Sequence, residues 1–180
     1  ALIRPGDLAP GLIGAARILH VSGLGCVISV GLLAIACDAA QEAARLGTRV
    51  SLDLRLPEVA RGAGAGRAVS LLAQSDVVTT DLPTARAVLG EESPERLTDL
   101  LLSCGPRVAI LWMGAEGAWL AGPDGRKFIA SFRPGIGGDA DVFIGYFLSG
   151  MTAGDDLVEA AIRAGAAAAH AAPPEAERSA

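Results

Sequence analysis

The sequence predicts an α/β fold, a mostly parallel sheet with helices on both faces. Three observations carry this. Short apolar runs at Ala16–Ser22, Thr48–Leu54, Asp76–Thr80 and Arg107–Met113 alternate with stretches of helical periodicity. Alternation of this kind builds β-α-β units, whose strands run parallel. Turn and cap residues punctuate the junctions, and 180 residues that are 51% hydrophobic and 19% charged suffice for one folded core. We find no internal repeat and no second core, so residues 1–180 read as a single domain.

Residues 1–15 read as a loop with a short helical turn, because Pro5, Gly6, Asp7 and Pro10 are turn and cap formers. The first strand, Ala16–Ser22, ends at Gly23. A helix is expected over Gly31–Leu46. Leu32, Leu33, Ile35, Ala36, Ala39, Ala40, Ala43 and Leu46 form its apolar stripe, and Gly47 stops it. After the strand Thr48–Leu54 comes a connector, Arg55–Gly66, whose RGAGAG run suggests flexibility, and then a short helix, Arg67–Gln74. Asp81 is placed to cap a helix over Leu82–Leu89, with Pro83 in its first turn and Gly90 as its stop; Ser93-Pro94-Glu95 opens another, to about Cys104. Arg107–Met113 has the apolar character of a buried strand. Ala118–Ala121 and Lys127–Phe132 flank a GPDG turn and read as a hairpin. Asp155 and Asp156 cap a last helix from Leu157 to about Ala172, ended by Pro173-Pro174, and 175–180 reads as a frayed tail.

Composition narrows the function. A net charge of −5, no basic run and 4% aromatic residues give neither the electrostatic surface nor the stacking platforms that nucleic acid needs. The opening ALIRPGDLAP has no secretory leader pattern. The 17 residues Val21–Cys37 carry no charge, the lower limit for a membrane span, but Gly23, Gly25, Ser29 and Gly31 interrupt them; a strand end, a loop and a helix start account for the run. Cys26, Cys37 and Cys104 are odd in number and lack C-x-x-C spacing, which points away from disulfides and zinc and toward a reduced, cytoplasmic setting. His20 and His170 stand alone, so no histidine metal cluster is expected, and His20 reads as a satisfied core or edge residue.

The stretch with most chemical content is Arg133–Gly150, RPGIGGDADVFIGYFLSG. Glycines leading into a helix leave backbone N–H groups free at the positive end of the helix dipole, an arrangement that binds anions. Asp139 and Asp141 sit where the apolar run Val142–Leu148 begins. Either can cap the helix, and either can serve as a base for a hydroxyl attacking a bound phosphate. A second glycine pair, Gly23 and Gly25, follows a strand, and Asp53 ends the next one. That context suits a dinucleotide fold, although Ile28 stands where its third glycine belongs.

The order of five segments resembles the ribokinase family of PfkB carbohydrate kinases, most closely its 2-keto-3-deoxygluconate kinase-like members. ARILHVSG is similar to the strand before the family's sugar-side loop. GTRVSLDLRLP resembles its V-x-F-D-x-N-x-R strand, and SDVVTTDLPTARAVLG the strand and helix with N-x-x-E. VAILWMGAEGAWL matches the nucleotide-side strand with G-x-x-G, and GIGGDADVFIGYFLSGM matches D-T-x-G-A-G-D-x-F-x-x-G-F. The resemblance runs from about Leu8 to Ala172 and implies a three-layer ribokinase-like fold lacking the family's N-terminal third and its lid.

It also implies a function: ATP-dependent phosphorylation of a sugar or sugar-acid hydroxyl, with Mg²⁺ accompanying ATP, a small-molecule substrate and, as one option for assembly, a homodimer. By position, Asp141 would be the base. The amides around Gly138, Asp139 and Ala140 would hold the transferring phosphoryl group, and Gly114 and Gly117 would border the ATP. The family's G-A-G-D is Gly138-Asp139-Ala140-Asp141 here. That places a second carboxylate beside the phosphate site and an alanine where a left-handed φ would cost about 1 kcal/mol. N-x-x-E is Asp81-Leu82-Pro83-Thr84, and the asparagine and arginine of D-x-N-x-R are Arg55 and Pro57. Two other readings follow: an impaired remnant of such a kinase that keeps the fold and weak nucleotide binding, and a Rossmann-type dinucleotide domain using Gly23, Gly25 and Asp53.

Overall fold

The computed structural model describes residues 7–8, 10–61, 65–90 and 93–171. Six strands form one sheet: β1 (Ile18–Ser22), β2 (Arg49–Asp53), β3 (Val77–Asp81), β4 (Val108–Trp112), β5 (Gly117–Gly122) and β6 (Gly125–Ala130). They lie side by side in chain order, β1 to β4 parallel, β5 and β6 antiparallel. The parallel strands need crossover helices, which the sequence supplies as α2 (Gly23–Ile28) and α3 (Val30–Leu46), α4 (Glu58–Arg61) and α5 (Ala65–Leu72), and α6 (Leu82–Leu89) and α7 (Pro94–Ser103). The turn α1 (Pro10–Ala15) precedes β1; α8 (Ala140–Ala153) and α9 (Leu157–Ala171) follow the hairpin.

Side chains alternate across the sheet, so apolar clusters form on both faces, a small one joining Ala85 of α6 and Leu97 of α7 to Leu111 of β4. Val21, Val50, Leu52, Val78 and Ala109 pack with α1, α2, α3 and α5 on one face. Val77, Val108, Ile110, Leu120 and Ile129 pack with α8 and α9 on the other. Helices thus cover both faces, as the strand–helix alternation predicts. The glycine and alanine content shapes α8 against α9. A Cβ at Gly150 would lie 2.9 Å from the Ala160 Cβ, so a bare backbone there permits the close approach.

The capping expectations are met where side-chain chemistry is local. The Asp81 carboxylate accepts the Thr84 N–H, Ser93 accepts the Arg96 N–H, Asp156 accepts those of Val158 and Glu159, and Gly47 closes α3 in the left-handed region.

Several boundaries move. The loop expected after Gly23 is helical: α2 buries Cys26 and Val27 beneath α3 and α5, and that packing outweighs the low helix propensity of Gly23-Leu24-Gly25. The connector Arg55–Gly66 contains α4 and the first residues of α5; residues 62–64 of its RGAGAG run lie outside the described residues. The second hairpin strand is Gly125–Ala130 rather than Lys127–Phe132, because Gly122 pairs directly with Gly125 across a two-residue turn. The tail expected at 175–180 also lies outside the described residues. No helix among the described residues is long and apolar enough to cross a membrane.

Candidate active site

The C-terminal ends of β1 to β4 share one rim, as parallel strands must. The loop before α8 crosses this rim. Gly135 and Gly137 both have φ +81°, and the Ile136 and Gly137 N–H groups donate to the Arg133 carbonyl in a tight turn. A Cβ on Gly137 would sit 3.0 Å from the Ala115 nitrogen, so this loop lies against the Gly114–Gly117 turn. Gly117 has φ +130°, and a Cβ there would lie 2.1 Å from the Ile129 carbonyl oxygen, so its backbone is fixed by the crossing of β5 and β6.

The structure separates the two aspartates of the loop. Asp139 is the N-cap of α8; its Oδ1 accepts the N–H groups of Asp141 and Val142 at 2.9 and 3.0 Å. Asp139's own amide donates to the Ala168 carbonyl at 3.0 Å. Of the amides expected to receive a phosphoryl group, those of Gly138 and Ala140 have no protein partner among the described residues, and that of Asp139 is taken. Ala140 opens the helix, and no residue other than glycine has a positive φ among the described residues. The strain expected at Ala140 is therefore absent, because the alanine stands where the chain is already helical.

Asp141 lies one position into α8 with 85% of its side chain exposed. Its contact is with Arg55, just beyond the end of β2. The guanidinium donates to Asp141 Oδ1 and, through Nε and Nη2, to both oxygens of Asp53 at 2.9 and 2.7 Å. Burial alone would lower the proton affinity of Arg55; the hydrogen bonds to Asp53 and Asp141 outweigh it and raise it above the ordinary value. One cation thus ties carboxylates from β2 and α8 together.

These groups border a cleft of about 620 Å³. Its floor is Arg17, Ile18, His20 and Asp53, and its wall is the flank of α8, from Asp141 through Ile144 and Leu148 to Thr152. Of the core and edge readings of His20, the structure gives the edge. It sits on the edge strand, open to the cleft, with Nδ1 3.2 Å from the Ser51 hydroxyl. Burial lowers its pKa from 6.5 and Arg55 acts the same way, while Asp53 and Asp141 pull it back up. Apolar neighbours in the sequence concealed this role; the strand alternation, which puts His20 opposite in phase to Leu19 and Val21, was the available signal.

Other expected positions serve structure. Asp81 caps α6, and Thr84, fully buried, accepts the Leu56 N–H at 2.9 Å and donates to its carbonyl at 3.3 Å. Gly23 permits a close approach rather than a cofactor: a Cβ there would lie 2.8 Å from the Asp53 carbonyl oxygen. A dinucleotide fold reverses its strand order at the binding crevice, whereas β1 to β4 run in unbroken sequence and Asp53 is held by Arg55; the Rossmann reading is thereby corrected. No group of three or more His, Cys, Asp or Glu is placed to hold a metal ion among the described residues. The cysteines are free thiols, and burial, chiefly, raises that of Cys26.

Residues 8–173 match the model of the pfkB family of carbohydrate kinases. No curated protein matches the chain. Among solved structures, a PfkB protein from Polaromonas sp. JS666 superposes with a TM-score of 0.85 at 25% identity, covering 97% of this chain and 60% of that one. Aminoimidazole riboside kinase from Salmonella enterica, solved with aminoimidazole riboside and an ATP analog, gives 0.80 at 20% identity, with 96% and 61% covered. Adenosine kinase from Sinorhizobium meliloti gives 0.81 at 17% identity, with 99% and 59% covered. The chain spans about three-fifths of the length of the structures it matches.

Proposed function

Since the chain belongs to the pfkB family of carbohydrate kinases, we propose that it carries the base-bearing part of an ATP-dependent kinase acting on a hydroxyl of a small sugar or sugar acid. The observation that supports this best is Asp141. An exposed carboxylate, paired through Oδ1 with Arg55, stands on the first turn of α8, over a cleft, beside a glycine-rich loop whose Gly138 and Ala140 amides have no protein partner among the described residues. In this reading Asp141 takes the proton of the attacking hydroxyl, its Oδ2 having no protein partner among the described residues. The Gly138 and Ala140 amides face the transferring phosphoryl group, and Gly114 and Gly117 border the nucleotide. The Gly138 and Ala140 amides, without a protein partner among the described residues, would hold a nucleotide phosphate, and the Asp139 carboxylate, capping α8 beside them, opposes it. At the N-x-x-E position the Thr84 hydroxyl is spent on Leu56 and the Asp81 carboxylate caps α6 through Oδ1, and no step of the reading runs through a metal ligand. A 2-keto-3-deoxygluconate-like substrate, a cytoplasmic setting and a homodimer belong to the same proposal.

The test is ADP release from Mg-ATP with 2-keto-3-deoxygluconate and with D-fructose. Turnover that disappears in Asp141→Asn supports the reading; the same rate in wild type and variant defeats it.

A specific observation also favours the impaired-remnant reading. The Asp139 carboxylate already occupies the amides of Asp141 and Val142, and Arg55 already occupies Asp141. A wild-type chain without turnover, together with ADP release in Asp139→Gly, would select it.

A further inference from the structure

The two edges of the sheet are unlike. β6 carries Arg126 and Lys127 next to each other, one on each side of the strand, and edge charges of this kind discourage pairing with another chain. β1 reads ILHVS, with no charge, no proline and an unbroken register against β2. No strand lies beyond it among the described residues.

The ladder between β1 and β2 has a definite phase. The Arg49 N–H donates to the Arg17 carbonyl, so the odd-numbered positions of β1 spend their backbone groups on β2. The N–H and C=O groups of Ile18, His20 and Ser22 therefore point outward, evenly placed about His20. Such a row is a template for one more strand.

Charge is graded along the same edge. Arg17 stands exposed at the start of β1, where its guanidinium donates to the Thr152 carbonyl at the end of α8. At the other end of the shared cleft, Asp53, Arg55 and the exposed Asp141 leave a net negative charge. A parallel copy would set like charges against each other. An antiparallel copy sets each end against its opposite.

We propose that β1 pairs antiparallel with β1 of a second copy of this chain, about a twofold axis through His20, and that Arg17 of the second copy faces Asp141 across the joined clefts. Ile18 then lies opposite Ser22 and His20 opposite its own copy, each pair exchanging both backbone bonds. The axis is perpendicular to the sheet, so the two clefts open on the same side. On the other side the operation turns Leu12, ahead of β1, toward Ile28 and Val30, behind it. These three are more exposed than any other large apolar side chain among the described residues. The pairing uses up both β1 edges, and the charged β6 edges do not extend it, so assembly closes at two. This rests on the homodimer named above and not on phosphoryl transfer.

The experiment is sedimentation equilibrium of the full 180-residue chain over a range of concentrations, with amide hydrogen exchange on the same samples. A ladder of five residues is a small interface, so a Kd of about 10–100 µM is expected. The amides of Ile18, His20 and Ser22 should exchange more slowly as the dimer fills, while those of β6 stay unchanged. Ile18→Pro removes an outward N–H at the first position of the strand, where proline is tolerated, and should weaken the dimer at least about tenfold without moving the thermal midpoint of the monomer. Arg17→Glu should weaken it about fivefold, and added salt should weaken the wild-type dimer. A monomer at every concentration overturns the inference, whether its outer β1 amides exchange freely or are covered from within the chain. A dimer that is indifferent to both variants uses another face and also overturns it. Turnover by a monomer leaves the kinase reading standing without this interface; a dimer with the expected exchange and no turnover supports the interface and counts against catalysis.

Discussion

The two halves of the sheet face under α8 make an instructive pair. Beneath β4 the helix lays Phe143 and Phe147 on Val108 and Ile110; beneath β1 and β2 the same helix stands off and leaves a cleft of about 620 Å³ over His20 and Asp53. One helix serves both because its two flanks differ. One carries large aromatics, stacked with ring centroids 6.2 Å apart, and the other carries Asp141, Gly145 and Ser149. Buried apolar packing is concentrated in the first half and the exposed polar groups in the second.

The contrast is tested most severely by truncating each half. Phe147 is fully buried, and Phe147→Ala should cost about 3–5 kcal/mol in denaturant unfolding. Ser51→Ala removes one hydrogen bond to the part-buried His20 ring and should cost about 1 kcal/mol. Equal losses at the two positions would erase the distinction between a core half and a site half.

Arg55 gives the next largest effect. Arg55→Met keeps the buried stem but leaves Asp53, only 16% exposed, without its bidentate partner. The loss should be near the lower end of about 1.5–3 kcal/mol expected for charge-assisted bonds, since the Asp141 end is open to solvent and screened. A stability equal to wild type would mean that the guanidinium bridge does not tie β2 to α8.

How much of this was legible depended on range. Asp81, Ser93 and Gly47 act within one turn of their own helix, so type and spacing sufficed to place them. The parallel strands were legible because burial on both faces demands continuous apolar runs. The helix α2 was not, since its stability comes from contacts of Cys26 and Val27 with distant elements rather than from its own glycine-rich sequence. Arg55 and Asp141 are 86 positions apart, and no local pattern announces their pairing. The resemblance singled out Asp141, but what the Asp139 carboxylate does to the neighbouring amides required the cap geometry.

Asp139 sharpens the comparison at the boundary of the two halves. Removing its cap in Asp139→Ala should cost about 1 kcal/mol, measured by thermal unfolding. The same change frees the Asp141 and Val142 amides and removes a negative charge beside them. Affinity for Mg-ATP, read by calorimetry, should therefore rise while stability falls. A parallel fall in both would show that the carboxylate supports the nucleotide loop instead of obstructing it.

The smallest effect concerns pH and singles out the floor. His20 has a folded pKa below its ordinary 6.5, with burial the largest cause. The unfolded chain therefore takes the proton more readily than the folded one, so neutral His20 contributes stability that is complete above pH 6.5 and is lost as pH falls through the folded value. Carboxylates titrate lower and are common to wild type and variant, so the difference in midpoint between wild type and His20→Gln isolates the ring. That difference should be constant between about pH 8 and about pH 7, and should move against the wild type as pH drops toward about 5.5. A difference that stays flat across the range would mean that the ring is as solvated as in the unfolded chain, and the floor would lose its neutral hydrogen-bonding group.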